Sequence, residues 1–257
     1  MSFEHKKYLK KKKKEKILVI ITQILIFISI LFLWELLSKT GKINTFLTSS
    51  PSLIIKTIIN LFKSNNLFIH IEITTYETII SFILSTLIGI IIATILWWNK
   101  FIFKVFDPYL TILNSLPKVA LGPILIIWIG ANIKSIIVMA LLISSIISII
   151  TIYNGFNSTD ENKIKLMKSF NASKWQIYKM LIFRSNIPTI ISSLKINISM
   201  CLIGVIMGEL LVSKEGIGYL IMYGSQVFNL NLVMTGIFLL SILAYILYFI
   251  ISRLEKN

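Results

Sequence analysis

The chain predicts an all-α integral membrane protein of six transmembrane helices, with a cytoplasmic helix between the fourth and fifth. Three observations point there. Hydrophobic residues make up 56% of the 257 positions and charged residues only 14%. A soluble domain carries about 25% charged residues, so a water-facing surface could not be covered here. Charge-free runs recur at 17–34, 78–99 and 135–159, each close to the about 20 residues that cross a bilayer. The mean hydropathy of +0.83 agrees.

Residues 1–16 form a basic tail holding eight lysines. Lysines followed by an apolar run resemble a secretory signal. The run 17–34 exceeds the usual length of about 7–15, and Trp34-Glu35-Leu36-Leu37 offers no small-residue cleavage site. A retained first span over 17–37 is expected. Within the rest of 17–69, Ser50-Pro51 precedes Leu53, Ile54, Ile58, Leu61 and Phe62 at helical spacing. Proline suits a first helical turn, so a short amphipathic helix on the outer surface follows.

The second span is expected over 72–98, closed by Trp97-Trp98 before Lys100 and Lys104, an aromatic anchor backed by cations. The third is expected over 108–129, interrupted and kinked at Pro117, Lys118, Gly122 and Pro123. Spans over 135–154, 189–212 and 232–251 complete the layout, with a turn-rich outer loop and a re-entrant piece over 213–231. With the N-terminus inside, 18 Lys and Arg fall on cytoplasmic segments and six on outer ones. This bias puts both termini and the stretch 158–188 in the cytoplasm.

That stretch is the one long polar interlude in the second half of the chain. Ser158 with Glu161 reads as a capping box, and Ser173 with Gln176 as a second. Between them Ile164, Met167 and Phe170 form an apolar stripe on a charged helix. Asn171 suits a left-handed helix end. The expected result is helix, left-handed break, and a second helix leading into span five. A lipid surface and a protein groove both accept such a stripe.

Other chemistries find little support. The net charge of +15 is carried by the tail and by span flanks, and only Tyr8 interleaves with the lysine run, so no nucleic-acid surface is indicated. Cys201 is the single cysteine, and His5 and His70 lack ligand-spaced neighbours, so neither a disulfide nor a metal site is expected. Gly41-Lys42 lacks the glycine and the Ser or Thr of a phosphate loop. No catalytic residue and no cofactor are expected.

Residues 70–257 resemble the transmembrane permease subunit of a type I ABC importer, in the group handling nitrate, sulfonates, taurine and thiamine-precursor pyrimidines. The resemblance is carried by Asp107-Pro108, by the run from Ser115 to Gly130, by Asn171 to Tyr178, by Pro188, and by Gly208-Glu209 with Gly216 to Ile221. Such permeases carry a cytoplasmic signature of Glu-Ala-Ala, three residues, Gly, nine residues and Ile-x-Leu-Pro. Here those letters fall on Lys165-Leu166-Met167, Asn171 and Leu181-Ile182-Phe183-Arg184, so Lys replaces Glu and Arg replaces Pro. The resemblance implies that Glu161, Ile164, Lys165, Leu166, Met167, Phe170, Asn171, Ala172, Ser173 and Trp175 form a coupling element for a cytoplasmic ABC ATPase subunit. It further implies an extracytoplasmic solute-binding protein and a permease homodimer in the bacterial cytoplasmic membrane.

For the translocation path the candidates are Pro117, Gly122, Pro123, Gly204, Gly208 and Glu209. Each also has a structural reading. The prolines and Gly122 shape a helix, Gly204 and Gly208 form a small-residue packing face, and Glu209 pairs with Lys214 or sits in interfacial water. Lys195 reads as a helix-end lysine reaching the interface. Two rival functions are an ion-driven secondary transporter, for which only Lys118 supplies a mid-membrane charge, and a non-transporting membrane scaffold.

Overall fold

A computed structural model describes residues 3–253, so the first two residues of the basic tail and Lys256 lie outside the described part. Helix α1 (Phe3–Lys39) carries tail and first span as one helix, and its apolar window is not buried at all. Glu35 ties it to the body. One carboxylate oxygen accepts from the Ser52 amide at 3.0 Å, and the other pairs with Lys39 at 3.1 Å. After the single turn α2 (Thr45–Thr48), α3 (Pro51–Lys63) begins with Ser50 as N-cap and Pro51 in its first turn, as expected. Its inner face is Ile54, Ile58 and Leu61, which pack onto the bundle.

Helix α4 (Asn66–Trp98) is the second span. Asn99 both closes it and starts α5 (Lys100–Ser115), its side chain accepting from the Phe101 amide at 2.9 Å. The third span is therefore interrupted as expected, but it starts earlier than 108 and its break is a sharp turn. Lys100 and Lys104 already belong to α5. The helix stops at Ser115 because Leu116 precedes a proline and turns extended, with ψ 139°. A 3₁₀ turn over Lys118–Leu121 follows, and α6 (Gly122–Ile129) restarts with Pro123 in its first turn. The two arms meet at 88°. Pro108 sits inside α5 without ending it.

Helix α7 (Ile133–Asn157) is the fourth span, and α8 (Glu161–Ser169) and α9 (Lys174–Ile177) form the polar interlude. A π turn over Tyr178–Ile182 and α10 (Phe183–Ser185) lead into α11 (Ile187–Val212), the fifth span. A short helix, α12 (Ile217–Gln226), turns back into the bundle before the last span, α13 (Leu230–Arg253). Among the described residues five helices are long and apolar enough to cross a membrane, six if α5 and α6 count as one broken span.

The core is built around α7, flanked by α4 and α11. Lipid is as apolar as leucine, so helices associate there through close packing, and small residues set the approach. A Cβ on Gly204 would lie 2.5 Å from the Ala140 Cα, and one on Gly208 would lie 2.9 Å from the Ile136 Cα. The Gly204–Gly208 face is thus spent inside the chain, on α7. Gly89 brings α4 equally close to Ser148 on the other side.

Candidate functional site

The interlude is built as two capped pieces around one left-handed residue. The first cap differs from the expectation. Helix α7 runs on to Asn157, so Ser158 becomes its C-cap and donates to the Gly155 carbonyl at 2.8 Å. Capping of α8 falls to Asp160, whose carboxylate accepts from the Asn162 amide at 2.8 Å. The helix ends in a Schellman motif: the Ala172 amide donates to the Met167 carbonyl at 3.1 Å and the Asn171 amide to that of Lys168 at 2.9 Å. Asn171 takes φ 56°, a conformation asparagine adopts more easily than most residues. The second capping box is complete, with the Gln176 amide on the Ser173 Oγ and the Ser173 amide on the Gln176 Oε1.

The apolar stripe is divided between two surfaces. Ile164 and Met167 pack back onto the bundle, with Ala172, against a core that includes Ile152, Phe156 and Ile177. Phe170 is 77% exposed, and Leu166 and Trp175 are each 58% exposed. These three form the free outer face, while Glu161 and Lys165, also exposed, line the side of α8 that faces Trp97 to Phe101.

Tyr178 locks the element to the membrane part. Its buried ring touches Trp97, Trp98, Phe156, Trp175 and Phe183 at centroid distances from 5.5 to 6.3 Å. Its hydroxyl shares a 2.8 Å hydrogen bond with the Thr94 Oγ1. Lys174 adds a second tie: its ammonium donates to the Trp98 carbonyl and stands 5.2 Å from the centre of that residue's ring. Tyr178 and Lys174 thus join the α8–α9 element to the ends of α4 and α7.

A polar seam runs through the bundle away from this element. Asn197 donates to the Ser85 Oγ and the Thr86 Oγ1, both at 2.9 Å. At the α12 end, Glu209 accepts from the Thr74 hydroxyl at 2.6 Å and from the Gly218 amide at 2.5 Å, while His70 Nδ1 accepts from the Gly216 amide at 3.0 Å. Glu77, one turn further along α4 from Thr74, is also buried, and neither of its carboxyl oxygens has a hydrogen-bond partner among the described residues. Gly216 has φ +105°, and a Cβ there would lie 2.4 Å from a Glu209 oxygen. Glu209 is thus the clasp that holds the α11–α12 turn onto α4.

The six path candidates do not gather around one passage. Gly122 is buried against Leu211 and Met139, and Gly204 and Gly208 against α7. Glu209 is 1% exposed within its clasp. Pro117 and Pro123 lie exposed at the break before α6. The single-residue reading missed Thr74, Glu77, Asn197 and Tyr178. A signal existed for the first two. Thr74, Thr78, Ser81, Ser85, Gly89 and Ala93 recur every three or four residues on α4, a small polar face inside an apolar span.

Glu209→Leu leaves the Thr74 hydroxyl and the Gly218 amide without an acceptor, which costs about 1–3 kcal/mol. The midpoint of thermal unfolding in detergent is expected to fall accordingly, and Glu209→Gln to fall less because its amide oxygen still accepts. An unchanged midpoint for Glu209→Leu would contradict the clasp.

The structure is a bundle of membrane-length helices with a capped, amphipathic element tied by aromatics to its spans. The chain belongs to the family of binding-protein-dependent transport system inner membrane components, whose model matches residues 85–257. It is a multi-pass ABC importer permease subunit of the type I fold. Among relatives, the formylaminopyrimidine transport permease protein ThiX of Halalkalibacterium halodurans is 28% identical over 232 residues, covering 90% of this chain and 92% of that one. The putative aliphatic sulfonates transport permease protein SsuC of Bacillus subtilis is 24% identical, covering 89% and 83%. The membrane fold is also that of a chain in the inward-facing MetNI methionine ABC transporter, with a TM-score of 0.68 at 17% identity over 76% of this chain and 96% of that one.

Proposed function

We propose that this chain is the non-catalytic half of an ATP-driven importer. It forms a permease homodimer, receives a small solute from an extracytoplasmic binding protein, and alternates access as two ABC ATPase subunits close and open. The observation that carries the reading is the α8–Asn171–α9 element, whose Phe170, Leu166 and Trp175 stay exposed while Tyr178 and Lys174 fasten it to the spans. Exposed apolar side chains on a charged, capped helix suit a protein groove. The charge bias of 18 against six supports a cytoplasmic position for this face and for both termini.

The solute is of the sulfonate, nitrate, taurine or thiamine-precursor pyrimidine type. The relatives named for formylaminopyrimidine, aliphatic sulfonates and taurine support this range. The test is uptake into proteoliposomes. ATP-dependent accumulation of one such solute is expected only when the ATPase and the binding protein are both present. Uptake by this chain alone, driven by an ion gradient, would overturn the proposal in favour of secondary transport.

A further inference from the structure

Beside the α8–α9 element lies a cavity of about 870 Å³, within the range of sites that hold a small ligand. Lys100 from α5, Lys165 and Lys168 from α8, and Lys174 from α9 converge on it, against the single carboxylate of Glu161. No ion pair neutralises these lysines among the described residues, where the one salt bridge joins Lys39 and Glu35. The rest of the lining includes apolar and aromatic side chains, among them Trp97, Tyr153, Phe156 and Ile177. The Trp97–Trp98 anchor and Phe101, which is 73% exposed, also line it. Tryptophan pairs mark headgroup depth, so the cavity lies where a lipid phosphate sits.

We infer that this cavity binds the headgroup of an anionic phospholipid from the cytoplasmic leaflet. The lysines receive the phosphodiester, and the aromatic lining takes the glycerol and the first acyl carbons. Basic pockets at the cytoplasmic side of transmembrane helices favour such lipids, through lysine contacts that weaken beyond a Debye length. A soluble phosphate compound would meet the same lysines, but it would leave the aromatic lining uncovered. A bound lipid would bridge α5 to α8 and brace the element that Tyr178 and Lys174 already tie down. The inference rests on the cytoplasmic placement of α8 proposed above, and not on its engagement by an ATPase.

The test uses the purified full-length chain without the ATPase, so its failure would leave the coupling assignment standing. Native mass spectrometry would count lipid retained from mixed phosphatidylglycerol and phosphatidylcholine micelles, and thermal midpoints would be read as phosphatidylglycerol is added. Preferential retention of phosphatidylglycerol and a raised midpoint are expected. Lys100→Ala and Lys168→Ala should each weaken binding about fivefold, the share of one juxtamembrane lysine. Lys134→Ala, at the far end of α7, should not change it. Lys100→Gln and Lys168→Gln provide the same reading if the alanine variants are unstable. Equal retention of both lipids, or equal loss in the Lys134 variant, would overturn the inference. Full displacement of phosphatidylglycerol by millimolar inorganic phosphate would also overturn it, assigning the cavity to a soluble anion.

Discussion

Tyr178→Ala is expected to detach the α8–α9 element from the bundle. The substitution removes a buried ring in contact with five aromatic side chains, together with the bond to Thr94. Truncation of a buried aromatic costs about 3–5 kcal/mol. The loss should appear as a lower thermal midpoint and as faster proteolysis within 158–186. Tyr178→Phe keeps the ring contacts and gives up one hydrogen bond, a cost of about 1 kcal/mol. ATP-driven uptake should fall further than stability does, because the same ring links the element to α4 and α7. A Tyr178→Ala protein with normal midpoint and protease resistance would refute this linkage.

The second large effect concerns the two faces of α8. Leu166→Asp with Phe170→Asp is expected to abolish co-purification with the ATPase while the folded protein stays in the membrane. Both side chains are exposed, and surface changes away from packed features shift stability by only about 0.5 kcal/mol. Ile164→Asp and Met167→Asp belong to the other face. They would put a charge against the core that holds Ile152 and Phe156, so the protein itself should fail first. If the Leu166 and Phe170 variant still binds the ATPase, the outer face is not the docking surface.

Much of this fold could be read along the chain because membrane spans announce themselves by missing charge. The second, fourth, fifth and sixth spans fall within a few residues of α4, α7, α11 and α13. The third span did not, since hydropathy registers apolar length but not direction. The 88° turn depends on Leu116 becoming extended before Pro117 and on Gly122-Pro123 restarting a helix. Capping at the interlude was ambiguous for a related reason. Ser158 and Asp160 are both good caps, and only the actual end of α7 decides which is free.

The stripe Ile164, Met167 and Phe170 was visible as a period, but its division between bundle and solvent is a tertiary matter. Met167 is on the bundle-facing side of α8, whereas Phe170, the residue that caps its C-terminus, is exposed. Glu209 was noticed as a lone acid. Its donors are Thr74, distant in the chain, and the Gly218 amide, so no local pattern announced the clasp. The position of the interlude and its left-handed break were legible, whereas the groups that hold it, Tyr178 above all, were not.

The central claim is that the outer face of α8 seats in an ATPase subunit. Cross-linking from position 170 tests it most directly, because Cys201 is the single native cysteine and is buried. Phe170→Cys, labelled with a short photoreactive maleimide in membranes that contain the whole transporter, should yield one adduct with the ATPase subunit. The adduct should change in yield when ATP is bound. Cross-linking to lipid or to the permease partner alone, with no ATPase adduct in either state, would contradict the account.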